Sequence, residues 1–157
     1  MFVSGEEMAR FLEPLKNKQI QPSGIDLTVI EVFEIDSVGE IDFSNENRKV
    51  PKGKKLEFSE NKLHLKPGSY RITYGEAVKM PKDALGVVLP RSTLMRMGAT
   101  VISALWDPGY QGRGQGLLVV FNQHGIILHK NARIAQIFMI KGKTKQEYEG
   151  TYKGENL

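Results

Sequence analysis

Cysteine is missing from all 157 residues, which excludes disulfides, thiolate nucleophiles and cysteine-ligated zinc. Acid is missing from most of the second half. Asp107 is the only carboxylate between Asp83 and Glu147, an interval that holds Arg91, Arg96, Arg113, Lys130, Arg133, Lys141, Lys143 and Lys145. No apolar run is long enough to span a bilayer. The first residues include Glu6, Glu7 and Glu13 and do not read as a secretory leader, so the expectation is a cytoplasmic protein with no membrane partner. Nucleic acid is not an expected partner either, because the Lys and Arg residues are scattered and no aromatic-glycine strand motif, helix-turn-helix or zinc module is present. No internal repeat or low-complexity tract stands out.

What remains is an ordinary globular composition, 40% hydrophobic and 25% charged, in a chain long enough for one domain with a real core. The net charge of +4 favours an anionic partner. One acid alone in a basic half suits a site that binds a polyanion through its cations and keeps a single base for chemistry, since further carboxylates would repel the substrate. Asp107 is followed by Pro108 and Gly109, however, and Asp before Pro-Gly is also common turn chemistry. Both readings stand at this point.

Ser4 with Glu7 three residues on makes a capping box, and Met8, Phe11, Leu12 and Leu15 then recur at helical spacing; an N-terminal helix is expected within residues 1–17. Beyond Pro14 the period becomes two. Leu27, Val29 and Phe33 alternate with Asp26, Thr28 and Glu34, as in a half-buried strand. Further strands are expected at 55–58, 62–65, 70–74, 85–89, 100–105, 116–122, 126–128 and 133–140, separated by turn signals at Gly39, Pro51 with Gly53, Pro67-Gly68, Pro81, 122–125 and Asn131. Many short strands at close spacing argue an all-β fold, a sandwich or a distorted jelly-roll β-barrel. Residues 36–55 read as an exposed loop or hairpin. Residues 141–157 form a polar tail, mobile when alone or a lid that orders on a ligand.

Five separated segments, in this order, resemble the trimeric dUTPase and dCTP deaminase superfamily, most closely its archaeal dUTPase branch. They are Pro22-Ser23-Gly24-Ile25-Asp26-Leu27, Pro90-Arg91-Ser92-Thr93-Leu94, Trp106-Asp107-Pro108-Gly109-Tyr110-Gln111-Gly112, Asn131-Ala132-Arg133-Ile134-Ala135-Gln136 and Tyr148-Glu149-Gly150-Thr151-Tyr152-Lys153-Gly154. The resemblance implies a dUTPase-like barrel and a homotrimer with sites built from more than one subunit. It implies that Asp26 holds Mg2+ on the triphosphate through water, where the residues alone suggest a solvent-facing strand position. Arg91, Ser92 and Thr93 would grip phosphate at the start of a short helix, with an N-cap role for Ser92 compatible with this. Arg96 would reach the terminal phosphate from a neighbouring subunit, or else sit in a surface salt bridge. By the same resemblance Asp107 is the base that deprotonates water, Tyr110 packs under the deoxyribose and excludes a 2′-hydroxyl, and Gln136 contacts phosphate. Arg133 is given a structural role near a subunit contact. Tyr148, Tyr152 and Lys153 are the candidate tail contacts, although the tail lacks the arginine and glycine-rich pattern of most dUTPases.

The superfamily runs two chemistries. Relatives that deaminate cytosine carry a glutamate on the strand after the third motif, and here Val119 lies nearest that position. An alkyl group cannot shuttle protons, and from Pro108 to Gln146 there is no Asp or Glu to take its place. Hydrolysis between the α- and β-phosphates needs a base, a divalent ion and cations, largely as positioning, and the set above supplies them. The expectation is dUTP plus water giving dUMP and pyrophosphate. The alternatives are a dCTP deaminase, a bifunctional deaminase-dUTPase, and a non-catalytic deoxynucleotide-binding module on the same fold.

Overall fold

A computed structural model describes residues 1–157. At the N-terminus the capping box forms: the Ser4 hydroxyl accepts from the Glu7 amide at 3.3 Å, and the Ser4 amide donates to the Glu7 carboxylate at 3.4 Å. It opens α1 (Gly5–Met8), which tightens into a 3₁₀ turn at Ala9–Phe11. The helix stops there, short of the expected Leu12 and Leu15. The residue before a proline is driven to extended backbone, so Glu13 before Pro14 leaves the helix and joins β1 (Leu12–Glu13). Leu12 keeps its apolar role by pairing with Val78.

The strands that follow are β2 (Ile20–Gln21), β3 (Gly24–Glu34), β4 (Lys54–Leu56), β5 (Lys62–Leu65), β6 (Gly68–Tyr74), β7 (Ala77–Lys79) and β8 (Ala84–Pro90). After α2 (Ser92–Arg96) come β9 (Ala99–Ile102), β10 (Gln111–Gly112), β11 (Gln115–Val120), β12 (Ile126–His129) and β13 (Arg133–Lys141). The main sheet has the order β8-β13-β3-β6-β11-β9, with β2 and β4 added along β3. Two smaller sheets, β1-β7-β10 and β12-β5, complete the strand set. All ladders are antiparallel, and the result is the expected all-β, distorted jelly-roll barrel with one short N-terminal helix.

Long strand β3 joins the two halves. Its first part pairs with β13, Ile25 facing Ile137, and its second part with β6, Val32 facing Ile72. The pairing register shifts between Val29 and Glu31, and an extra residue in one strand exchanges the faces beyond it. Ile25, Leu27 and Val29 are therefore buried before the shift and Val32 after it. Phe33, expected inward, is half-buried instead, with the Arg71 guanidinium 4.8 Å from its ring centre. Strand β9 is also shorter than expected, because Ser103 to Leu105 leave β11 so that Trp106 can bridge Gly86.

The core is filled by β-branched and long side chains from both layers, with Tyr74, Ile25, Leu65, Leu118, Ile137 and Met139 fully buried. The stretch from 35 to 53 carries no strand, only a bridge between Glu40 and Lys49, and it exposes Val38, Ile41 and Phe43. The tail folds back on the 106–113 loop. No helix is long and apolar enough to cross a membrane.

Candidate functional site

Strand pairing brings three of the motifs to one place. β13 lies between β3 and β8, with Gln136 opposite Asp26 on one side and Leu89 on the other. Ala135 faces Pro90, so Arg91 emerges one residue beyond the pair. The Asp26 side chain is not solvent-facing. It is 2% exposed and lies 3.1 Å from Nε of Arg91 and 3.1 Å from Nη1 of Arg133, both through Oδ2. Nε2 of Gln136 donates to Oδ1 at 3.4 Å. Burial raises the carboxyl pKa above its ordinary value, and the charges of Arg91 and Arg133 pull back part of that rise.

This arrangement does not fit a direct magnesium ligand. One oxygen of Asp26 is shared by two guanidiniums, the other faces Gln136, and no group of three or more His, Cys, Asp or Glu residues is placed to hold an ion. Arg133, expected to serve structure near a subunit contact, lies in the Asp26 cluster. Ser92 does not cap its helix; the N-cap is Arg91, and the hydroxyls of Ser92 and Thr93 are exposed with no bond to the protein. Arg96 is exposed on α2 and forms no ion pair.

Asp107 lies elsewhere in the chain. Trp106 exchanges two backbone hydrogen bonds with Gly86, at 2.8 and 3.0 Å. Arg91 is five residues further along the same extended stretch, which at about 3.3 Å per residue separates the two motifs by roughly 16 Å. Asp107 is exposed, and it lines a cavity of about 270 Å³ with Trp106, Tyr110, Tyr148, Tyr152 and Glu155. An aromatic ladder backs this cavity: Tyr74 to Trp106 at 5.9 Å, Trp106 to Tyr110 at 5.6 Å and Tyr110 to Tyr148 at 5.7 Å between ring centres.

The tail forms one wall of that cavity. Tyr110 is buried and its hydroxyl donates to Oε1 of Glu155 at 2.7 Å. The Tyr148 amide donates to the Pro108 carbonyl, the Gly154 amide to the Gln111 carbonyl and the Arg113 amide to the Glu155 carbonyl, at 2.8, 2.7 and 2.9 Å. Desolvation raises the pKa of Glu155, and the Tyr110 bond offsets part of the rise. Lys153 points away from this cavity and lines another with Lys79, Lys82 and Glu147.

Several of these groups carry no sequence signal. Glu155 is the carboxylate that reaches the Asp107 cavity, from beyond the acid-free stretch. Glu76, 2% exposed, accepts from the Thr28 amide and hydroxyl at 2.8 and 2.7 Å and from Nε2 of Gln19 at 2.8 Å, which ties the Gly75 turn to β3. Arg113 donates through Nε to the Gly75 carbonyl and through Nη1 to the Asn156 carbonyl. No local pattern marks Glu76 or Arg113, because their partners lie in segments distant in sequence. Chemically, the Asp26 cluster presents cations to an anion, and the Asp107 cavity presents a solvent-accessible carboxylate beside aromatic faces.

A family model described as dCTP deaminase-like matches residues 4–142. The chain belongs to that family. Among similar proteins, a deoxyuridine 5′-triphosphate nucleotidohydrolase of Methanocaldococcus jannaschii is 43% identical over 157 residues, covering 98% of this chain and 99% of that one. A probable deoxyuridine 5′-triphosphate nucleotidohydrolase of Methanosarcina acetivorans is 43% identical over 141 residues, covering 88% of this chain and 82% of that protein. Among solved structures, the 2′-deoxycytidine 5′-triphosphate deaminase from Agrobacterium tumefaciens superposes with a TM-score of 0.69 at 16% identity, over 90% of this chain and 48% of that one. The chain thus spans about half the length of that deaminase, and the likeness to it is one of fold.

Proposed function

We propose that this dCTP deaminase-like protein hydrolyses dUTP to dUMP and pyrophosphate. The observation that carries the reading is Asp107, an exposed carboxylate in an aromatic-walled cavity, in a chain 43% identical along its length to a dUTP nucleotidohydrolase. Asp107 takes a proton from water, the water oxygen attacks the α-phosphorus, and the bond to the β-phosphate breaks so that pyrophosphate leaves. Such catalysis is mostly positioning and charge stabilisation. Arg91, Ser92, Thr93 and Gln136 hold phosphate oxygens, and Arg96 reaches the terminal phosphate. Tyr110 packs under the deoxyribose once the tail lifts, and Tyr148, Tyr152 and Lys153 then close over the nucleotide. Magnesium, the ion the family resemblance implies, would arrive with the triphosphate and neutralise phosphate charge, since the Asp26 oxygens facing Arg91, Arg133 and Gln136 do not fit direct ligation.

Within one chain the Asp107 cavity and the Arg91 cluster are roughly 16 Å apart by strand geometry. A homotrimer in which Asp107 of one copy meets Arg91 of the next resolves this separation, and exposed Leu105, Ile102 and Leu89 around the two motifs suit such contacts. Cytosine chemistry has one observation in its favour, the Glu155 carboxyl in the Asp107 cavity. That carboxyl is engaged as the acceptor for Tyr110, and the strand position used by deaminating relatives holds Val119.

Purified protein with magnesium and dUTP is expected to release pyrophosphate, and dCTP to give no uracil product. Asp107→Asn is expected to bind dUTP as the unaltered protein does and to lose about a hundredfold or more in rate. A variant of near-normal rate would remove Asp107 from the mechanism.

A further inference from the structure

The cluster around Asp26 is layered. The carboxylate is 2% exposed, whereas the Arg91 and Arg133 side chains are 30% and 33% exposed, so the guanidiniums lie between it and solvent. Each spends only part of its donor set inward. Arg91 sets Nε 3.1 Å from the Asp26 carboxylate as an ion pair and donates through Nη1 to the Arg133 carbonyl; Arg133 donates through Nη1 to Asp26 and to the Lys18 carbonyl. Nη2 of Arg91 and both Nε and Nη2 of Arg133 donate to no protein group. Arg133 also lines a polar cavity of about 380 Å³ whose rim carries Lys16 and Lys18, so the surface beside the cluster is basic.

Two guanidiniums this close repel unless an anion lies between them. One buried carboxylate shared through a single oxygen supplies that anion, leaves the trio with a net charge of one positive, and fixes both forks without consuming their outer donors. A planar fork bonds two phosphate oxygens at once, and a fixed pair of forks suits a chain of phosphates better than scattered point charges do. A direct ion ligand would have to compete with the arginines and Gln136 for the carboxylate oxygens.

We infer that Asp26 is a positioning residue that holds Arg91 and Arg133 side by side as one grip for the phosphate chain, which makes Arg133 a substrate-binding residue. The inference rests on the reading that the substrate is a nucleoside triphosphate. The experiment measures binding calorimetrically in EDTA, with inorganic tripolyphosphate and a non-hydrolysable imido analogue of dUTP as probes. The magnesium concentration for half-maximal dUTP turnover is measured alongside. Arg133→Gln and Asp26→Asn are each expected to weaken both probes about tenfold or more, the loss of a charge-assisted bond, with the magnesium midpoint unchanged in Asp26→Asn. Arg133→Lys is expected to recover little, because an ammonium cannot fork.

Unchanged binding by Asp26→Asn in EDTA, together with a magnesium midpoint raised about tenfold, would make Asp26 an ion ligand and overturn the inference. Unchanged binding by Arg133→Gln would overturn it as well, and this one-third-exposed position keeps the test decisive should Asp26→Asn not fold. If the unaltered protein binds tripolyphosphate in EDTA yet leaves dUTP intact, the grip stands and the proposed reaction falls.

Discussion

The bond between Tyr110 and Glu155 makes the state of the tail measurable. Tyr110→Phe removes one hydroxyl and keeps the ring between Trp106 and Tyr148. The bond is 2.7 Å long and ends on a half-buried carboxyl. A hydrogen bond to a charged group contributes about 1.5–3 kcal/mol, and the partial exposure of Glu155 places this one near the lower figure. A loss of about 1.5 kcal/mol lowers the ratio of docked to undocked tail about tenfold. Two amides report on docking directly: Gly154, which donates to the Gln111 carbonyl, and Arg113, which donates to the Glu155 carbonyl. Hydrogen exchange of Tyr110→Phe is expected to quicken about tenfold at both, while the core amides of β11 keep their protection. Unchanged exchange at Gly154 and Arg113 would refute the reasoning, and so would equal acceleration in β11, which would signal global loosening.

Other outcomes follow from the same geometry. Glu76 has its pKa raised by desolvation above the ordinary 4.5, so the folded state holds a proton that the unfolded state releases. Its contribution is full below about pH 4.5 and is lost as pH rises through the folded value; the melting-temperature gap between the protein and Glu76→Gln is expected to narrow from pH 4.5 upward, and a gap that widens would contradict the assignment. At Gly24 an added Cβ would lie 2.3 Å from the Ile137 carbonyl oxygen. Gly24→Ala is therefore expected to cost about 1–3 kcal/mol and several degrees of melting temperature, at about 2–4 °C per kcal/mol for a chain of this size; an unshifted melt would show that β3 and β13 separate freely there.

Much of the barrel was legible because period-two alternation and turn residues are local signals. Strand β5 fell where expected, and most of the longer strands came within a residue or two. Phe33 was misplaced because a register shift exchanges faces without leaving a mark on the alternation itself. The two-residue strands β1, β2 and β10 are too short to show a period, and they exist through partners far along the chain. At the candidate site the family motifs singled out residue types, but not their neighbours. The strand pattern alone suggested a solvent-facing Asp26, yet β13, paired beside β3, brings Arg133 and Gln136 to it. Glu155 and Glu76 could not be found from spacing, since each meets partners 45 or more residues away.

In the proposed reaction Asp107 of one copy and Arg91 of another serve a single site. Asp107→Asn and Arg91→Gln are each expected to be nearly inactive on dUTP. Their co-assembly 1:1 is expected to restore pyrophosphate release in about a quarter of the sites of a cyclic oligomer, where an intact Asp107 of one copy meets an intact Arg91 of another. Mixed assemblies that remain as inactive as either parent would contradict the account.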